Sequence, residues 1–97
     1  LGTNEKALQA ALVAISNESR VPVKTLQAQH QQYTVGPAGL LMANELAHLT
    51  KRPAQQFLAE RGGKVGWDAI AERNGVNPDV LLPKLQQLHR VMFAANK

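Results

Sequence analysis

The chain contains no cysteine. Disulfides, thiolate metal centres and cysteine nucleophiles are therefore excluded, and the core must hold without covalent staples. Aromatic residues are scarce, with one Trp, one Tyr and two Phe in 97 residues, so the core must be built mainly from aliphatic side chains. Period-two alternation never runs for long, and β-branched residues give way to Ala, Leu, Gln, Glu, Lys and Arg, which argues against strands. The longest apolar runs are a few residues, too short for a membrane-spanning helix.

Acidic residues are also in the minority, seven against eleven basic ones, giving a net charge of +4 and a pI near 9.9. That excess favours anionic partners in a general way, yet it lies within the range that serves solubility. With 44% apolar and 19% charged residues, the composition is that of a globular chain. The length suits one domain over 1–97 with a modest core, residues 1–3 being frayed. The chain opens at Leu1-Gly2-Thr3 with no Met and no signal-like segment, so the expectation is that something upstream has been removed.

What is present reads as an all-α fold of five or six short helices. Leu8, Ala11, Leu12 and Ile15 follow helical spacing and predict a first helix from about Asn4 to Asn17, capped by Thr3 or Asn4. Pro22 suits a first helical position, predicting a short polar second helix toward Gln32. Gly36-Pro37-Ala38-Gly39 marks a break. After it Leu40, Leu41, Ala43, Leu46, Ala47 and Leu49 make the most apolar helix, expected at the centre.

Pro53 opens a fourth helix with Phe57 and Leu58 on its apolar face, ended by Gly62-Gly63 in the left-handed region. A fifth carries Trp67, Ile70 and Ala71 and stops at Asn74-Gly75. The last follows Pro78 with the stripe Leu81, Leu85, Leu88 and Met92, and Pro83 within it predicts a kink or a fresh helix start.

Three segments share one skeleton: Ile15 to Leu26, Leu46 to Phe57 and Ile70 to Leu81. In each, an apolar residue is followed by Ser or Ala, four variable positions, then Val21, Arg52 or Val76. Proline comes one or two residues later, and Leu26, Phe57 or Leu81 closes the unit. A helix that ends, turns and restarts at proline explains the spacing, because the flanking apolar residues meet across the corner. Internal repetition and a chance match in a Leu/Ala-rich chain give the same architecture of short helices joined by tight, helix-turn-helix-like corners.

The pattern Gly36-x-x-Gly39, Leu41-x-Ala43-Asn44-x-Leu46-Ala47, Thr50-Lys51 and the run GWDAIAERNGV from Gly66 to Val76 resembles small, apparently exported bacterial helical proteins of no known activity. It covers roughly Val21 to Val76, and the GW-x-x-IA-x-x-x-GV element is its most specific part. The resemblance implies an all-α fold and export to the periplasm or outside the cell. Arg52 and Pro53 depart from it, standing where Gly and a polar residue would be expected, which bears on the geometry of that corner.

Candidate chemistry is thin. The stretch GWDAIAERNGVNPDVLLPKLQQL looks like the helix, turn and second helix of DNA readers. A reading helix should present Arg, Lys, Asn or Gln from its first turns, but here Asp79 would repel phosphate and Pro83 interrupts. Under that alternative the contacts fall to Lys84, Arg90 and Arg73. The competing account is a packing corner filled by Trp67 and Ile70, with Trp67 a core anchor rather than a partner hot spot.

Glu45-x-x-His48 offers one carboxylate–imidazole pair, where a carboxylate-bridged metal site needs two. Glu45 and His48 therefore read as a solvated pair, and His30 and His89 add no second motif. Ser16 and Ser19 fit a helix end better than a nucleophile. Asp68, Glu72 and Asp79 cluster in sequence, with Asp68 explained by the helix dipole. Gly62-Gly63-Lys64-Val65-Gly66 lacks the Ser or Thr of a phosphate loop. Gln27, Gln29, Gln31, Gln32, His30 and Tyr33 form a polar segment read as a solvated face, the alternative being cover for a partner groove.

The sequence thus predicts a non-catalytic helical binding or structural module, without cofactor or metal. Its partner is expected to be a protein or a second copy of itself. A DNA-associated, cytoplasmic helix-turn-helix domain is the alternative.

Overall fold

The computed structural model describes residues 2–95, with side chains over 5–95. The elements are α1 (Gly2–Ser19), α2 (Val23–Tyr33), α3 (Pro37–Thr50), α4 (Ala54–Gly62), α5 (Trp67–Arg73), a 3-10 turn at Pro78–Val80, and α6 (Leu82–Ala95). Among the described residues there is no strand, as the all-α reading predicts.

Several boundaries differ from expectation. Because α1 already begins at Gly2, Thr3 and Asn4 lie inside its first turn rather than at its cap position; of residues 1–3, expected to be frayed, Gly2 and Thr3 fall within the helix and Leu1 lies outside the described residues. Pro22 and Pro53 precede α2 and α4 as extended caps, with ψ of 144° and 139°, so neither is the first helical residue. Their ring fixes φ alone, and the extended ψ is equally open to proline. Pro37 does take the first helical position, after Gly36, which draws Ala38 and Gly39 out of the expected break and into α3. Pro83 sits in the first turn of α6, the fresh start rather than the kink.

The corners share one backbone device, and it occurs more often than the sequence skeleton suggests. Positive φ angles occur at Arg20, Thr34, Lys51, Lys64 and Gly75, one in each connection up to the 3-10 turn. Gly63, expected to supply the left-handed residue after α4, instead has φ −81°, and Lys64 takes that conformation at φ 67°.

Two residues beyond each left-handed residue stands an extended helix cap: Pro22, Gly36, Pro53, Gly66 or Asn77. Six beyond it lies Leu26, Leu40, Phe57, Ile70 or Leu81, each buried to 2% exposure or less. The left-handed residue reverses the chain in a single step, and the apolar anchor on the new helix pins the reversal. In three corners a side chain also seals the old helix end. Ser19 Oγ donates to the Ile15 carbonyl at 2.7 Å, Thr50 Oγ1 to Leu46 at 2.6 Å and Asn74 Nδ2 to Ile70 at 2.7 Å.

The buried side chains fall into two clusters. Ala11, Leu12, Ile15, Leu26, Leu40, Leu41 and Leu88 form one; Ala43, Leu46, Phe57, Leu58, Ile70, Ala71 and Leu81 form the other. Helix α3 supplies residues to both, and its seven buried positions make it the central helix. Leu49, counted with its apolar face, is 48% exposed. Trp67 is half-buried against the second cluster, as a core anchor. Its ring lies over Gly39, where an added Cβ would come 3.5 Å from Trp67 Cζ2 and 2.2 Å from Val35 Cγ2. Glycine there lets α3 approach both.

Candidate functional site

Helix α3 carries polar side chains between the two clusters. Asn44 is buried and joined to Gln29 of α2, which is also buried. Asn44 Nδ2 donates to Gln29 Oε1 at 2.8 Å and to the Leu40 carbonyl at 2.8 Å, while Gln29 Nε2 points back to Asn44 Oδ1 at 3.5 Å. Gln29 therefore departs from the expected solvated face. Its spacing of three from Leu26 puts it on the apolar side of α2, and a paired amide satisfies the burial.

Glu45 departs further. Expected beside His48 in solvent, it is 2% exposed, whereas His48 is exposed. Helix α6 covers it. α1 and α6 form the most extensive helix–helix contact, and Lys84, in the first turn of α6, bonds Glu18 of α1 through its ammonium. The same Nζ lies 3.8 Å from Glu45 Oε2, within Coulombic reach but beyond a hydrogen bond. The other carboxylate oxygen, Oε1, has no hydrogen-bond partner and no exposure to speak of.

Burial pushes the Glu45 carboxyl above the usual carboxylate range, and Glu18 adds to the push, while Lys84 and His48 oppose it. The hydrogen bond to Glu18 raises Lys84 above its ordinary value, so its ammonium stays protonated. One sequence signal for Glu45 existed: it lies four residues after buried Leu41, on the same helix face.

Glu18 and Lys84 of this cluster, with Glu45 behind Lys84, line a groove of about 210 Å³ together with Ala14, Ile15, Leu41, Pro83, Gln87 and Leu88. Its floor and walls are aliphatic, and Glu18 and Lys84 are its charged members. A broader hollow of about 350 Å³ between α1 and α2 is lined by Glu5, Leu8, Gln9, Leu12, Gln27, His30 and Gln31. Its polar rim converges on no buried group. His30 accounts for itself, with Nδ1 2.6 Å from the Val35 carbonyl; a carbonyl only accepts, so Nδ1 is the protonated nitrogen.

The residues assigned to nucleic-acid contact are not brought together as free cations. Lys84 is held by Glu18 and Glu45, Arg73 lies 3.7 Å from Glu60, and Arg90 donates to Gln87 at 3.1 Å. Arg52, one of the departures from the resemblance, donates to Asn74 Oδ1 at 2.7 Å, tying the corner after α3 to the corner after α5. Ser19 is committed to a backbone carbonyl. Among the described residues no group of three or more His, Cys, Asp or Glu is placed to hold a metal ion, and no helix is long and apolar enough to cross a membrane.

Comparison with protein families, curated proteins and solved structures yields no match to this chain.

Proposed function

We propose that the chain is a non-catalytic binding module, held outside the cytoplasm, whose ligand enters the groove between α1, α3 and α6. One observation carries this reading: the buried Glu45 Oε1 without a donor, behind Lys84 at the charged end of a mostly aliphatic groove. Leaving a buried acceptor unsatisfied destabilises a fold by about 1–3 kcal/mol. An apolar side chain at the same position would avoid that loss, which gives the carboxylate a reason other than packing. The assignment outside the cytoplasm rests on the GW-x-x-IA-x-x-x-GV resemblance.

A protein partner or a second copy would be expected at the exposed apolar side chains Val13, Leu49, Val80, Leu82 and Phe93. These are scattered over α1, α3, the 3-10 turn and α6, and lend less support than a continuous groove. DNA binding has weaker support still, since each of its three candidate cations already faces an acid or an amide.

Amide chemical shifts recorded while a short alkyl amphiphile is added test the reading. Shifts confined to Ala14, Ile15, Glu18, Leu41, Lys84, Gln87 and Leu88, and abolished by Ala14→Trp, are the expected result. Shifts around Arg73 and Arg90, outside the groove, with a short DNA duplex, fading as salt rises, would overturn it.

A further inference from the structure

Resting on the groove reading above, we propose that the ligand is a short-chain amine whose primary ammonium takes the place of the Lys84 ammonium between Glu18 and Glu45, with its apolar stem on Ile15, Leu41 and Leu88. Charge comes first. Once Glu45 is ionised, it and Glu18 set two negative charges against the one positive charge of Lys84, and a bound ammonium favours that ionised form, so a cationic amphiphile is drawn in where an anionic one is not.

Hydrogen bonding points the same way. The lone cation now in place bonds Glu18 and stops 3.8 Å short of Glu45 Oε2, leaving Oε1 without a donor. A ligand ammonium has three N–H donors and is not tethered to α6, so it can serve both carboxylates. Lys84 is well suited to move aside: its side chain is 35% exposed, on a flexible stem.

Size limits the stem. About 210 Å³ is below the roughly 300–1,000 Å³ of pockets that take drug-sized ligands, so the groove itself houses only a short alkyl stem. The apolar walls then favour an alkyl amine over a bare polyamine. Binding is also linked to protons. The groups facing Glu45 are Glu18 from α1, His48 on its own helix and Lys84 from α6, and burial favours its neutral form, so an ammonium ligand draws a proton off Glu45 and binds more tightly as pH rises through the raised range of that carboxyl.

Calorimetric and chemical-shift titrations of the full chain with hexylamine, hexanol and hexanoate test the assignment. Hexylamine should bind in the groove at least about tenfold more tightly than hexanol, and hexanoate more weakly than either. Glu45→Gln should weaken hexylamine about tenfold while leaving hexanol unchanged. Lys84→Met, which removes a positive charge and a competitor, should strengthen hexylamine, the opposite of what loss of a structural contact would do.

Equal affinities for hexylamine and hexanol in the groove, unmoved by Glu45→Gln, overturn the amine assignment and leave the groove reading intact. Tighter binding of hexanoate overturns it as well. If none of the three probes shifts a groove amide, the groove reading falls and the amine assignment with it.

Discussion

The part of the core built on α4 and α5 is closed by aromatic side chains, with Phe57 at its centre and Trp67 and Tyr33 at its margin. The part built on α1, α2 and α6 is wholly aliphatic and borders the Glu18, Lys84 and Glu45 cluster. Both lean on α3. Among the described residues, the one buried carboxylate faces the aliphatic side. The contrast separates two tasks that a small domain finds hard to combine. One side supplies an aromatic core; the other carries an apolar groove and a buried carboxylate oxygen without a donor, an arrangement expected to lower stability.

The largest expected effect lies on the aromatic side. Phe57 is fully buried and anchors the corner after α3, so Phe57→Ala should cost about 3–5 kcal/mol. In a domain of this size that corresponds to a drop in Tm of more than about 12 °C. Thermal melts followed by circular dichroism read it directly. A drop of only a few degrees would mean that the aromatic side is not the scaffold.

The opposite sign is expected across α3. Glu45→Met replaces an unsatisfied buried carboxylate with an apolar side chain of similar reach, and Lys84 keeps Glu18, so stability should rise by roughly 1–3 kcal/mol near neutral pH. The gain should depend on pH. Since burial holds the folded carboxyl above its unfolded value, the folded state keeps a proton that the unfolded state releases, and wild-type stability falls as pH rises through that window. The Tm advantage of Glu45→Met should therefore be smallest at about pH 4 and largest at about pH 8. A variant less stable than wild type at every pH would make Glu45 a structural asset and erase the contrast.

The helices and their order were legible because helical spacing and proline are local signals. The corners were legible in part. Three share an opening apolar residue at Ile15, Leu46 or Ile70 with Pro22, Pro53 or Pro78 after it, and that repeats visibly. The other two share the backbone device and the buried anchor but not the opening: Gln29 stands in the opening position of one and exposed Ala59 in that of the other, and their caps are Gly36 and Gly66, with Pro37 after the first.

The candidate site was almost illegible. Gln29 and Asn44 pair across 15 residues of chain, and Glu45 is covered by a lysine 39 residues later (84 − 45). A polar residue's burial is decided by which helix crosses over it, and periodicity ranks faces without naming the neighbour.

The smallest predicted effect asks whether the two sides are hinged alike. Thr34 turns the chain from α2 into α3 with φ 51° and ψ 46°, a region that strains a β-branched residue. Gly75 turns it after α5 with φ 76°, and a Cβ added there meets nothing within 4 Å. If both corners are stabilised chiefly by their buried anchors, Leu40 and Leu81, then only backbone strain changes on substitution. Thr34→Gly should add about 0.5–1 kcal/mol, the relief of a left-handed residue less the extra chain entropy of glycine. Gly75→Ala should lose about 1 kcal/mol by the same strain in reverse. Chemical denaturation at constant m-value measures both. A loss at Thr34→Gly would mean that the threonine side chain itself holds the corner, and the two sides of the molecule would then differ in their hinges as well as in their cores.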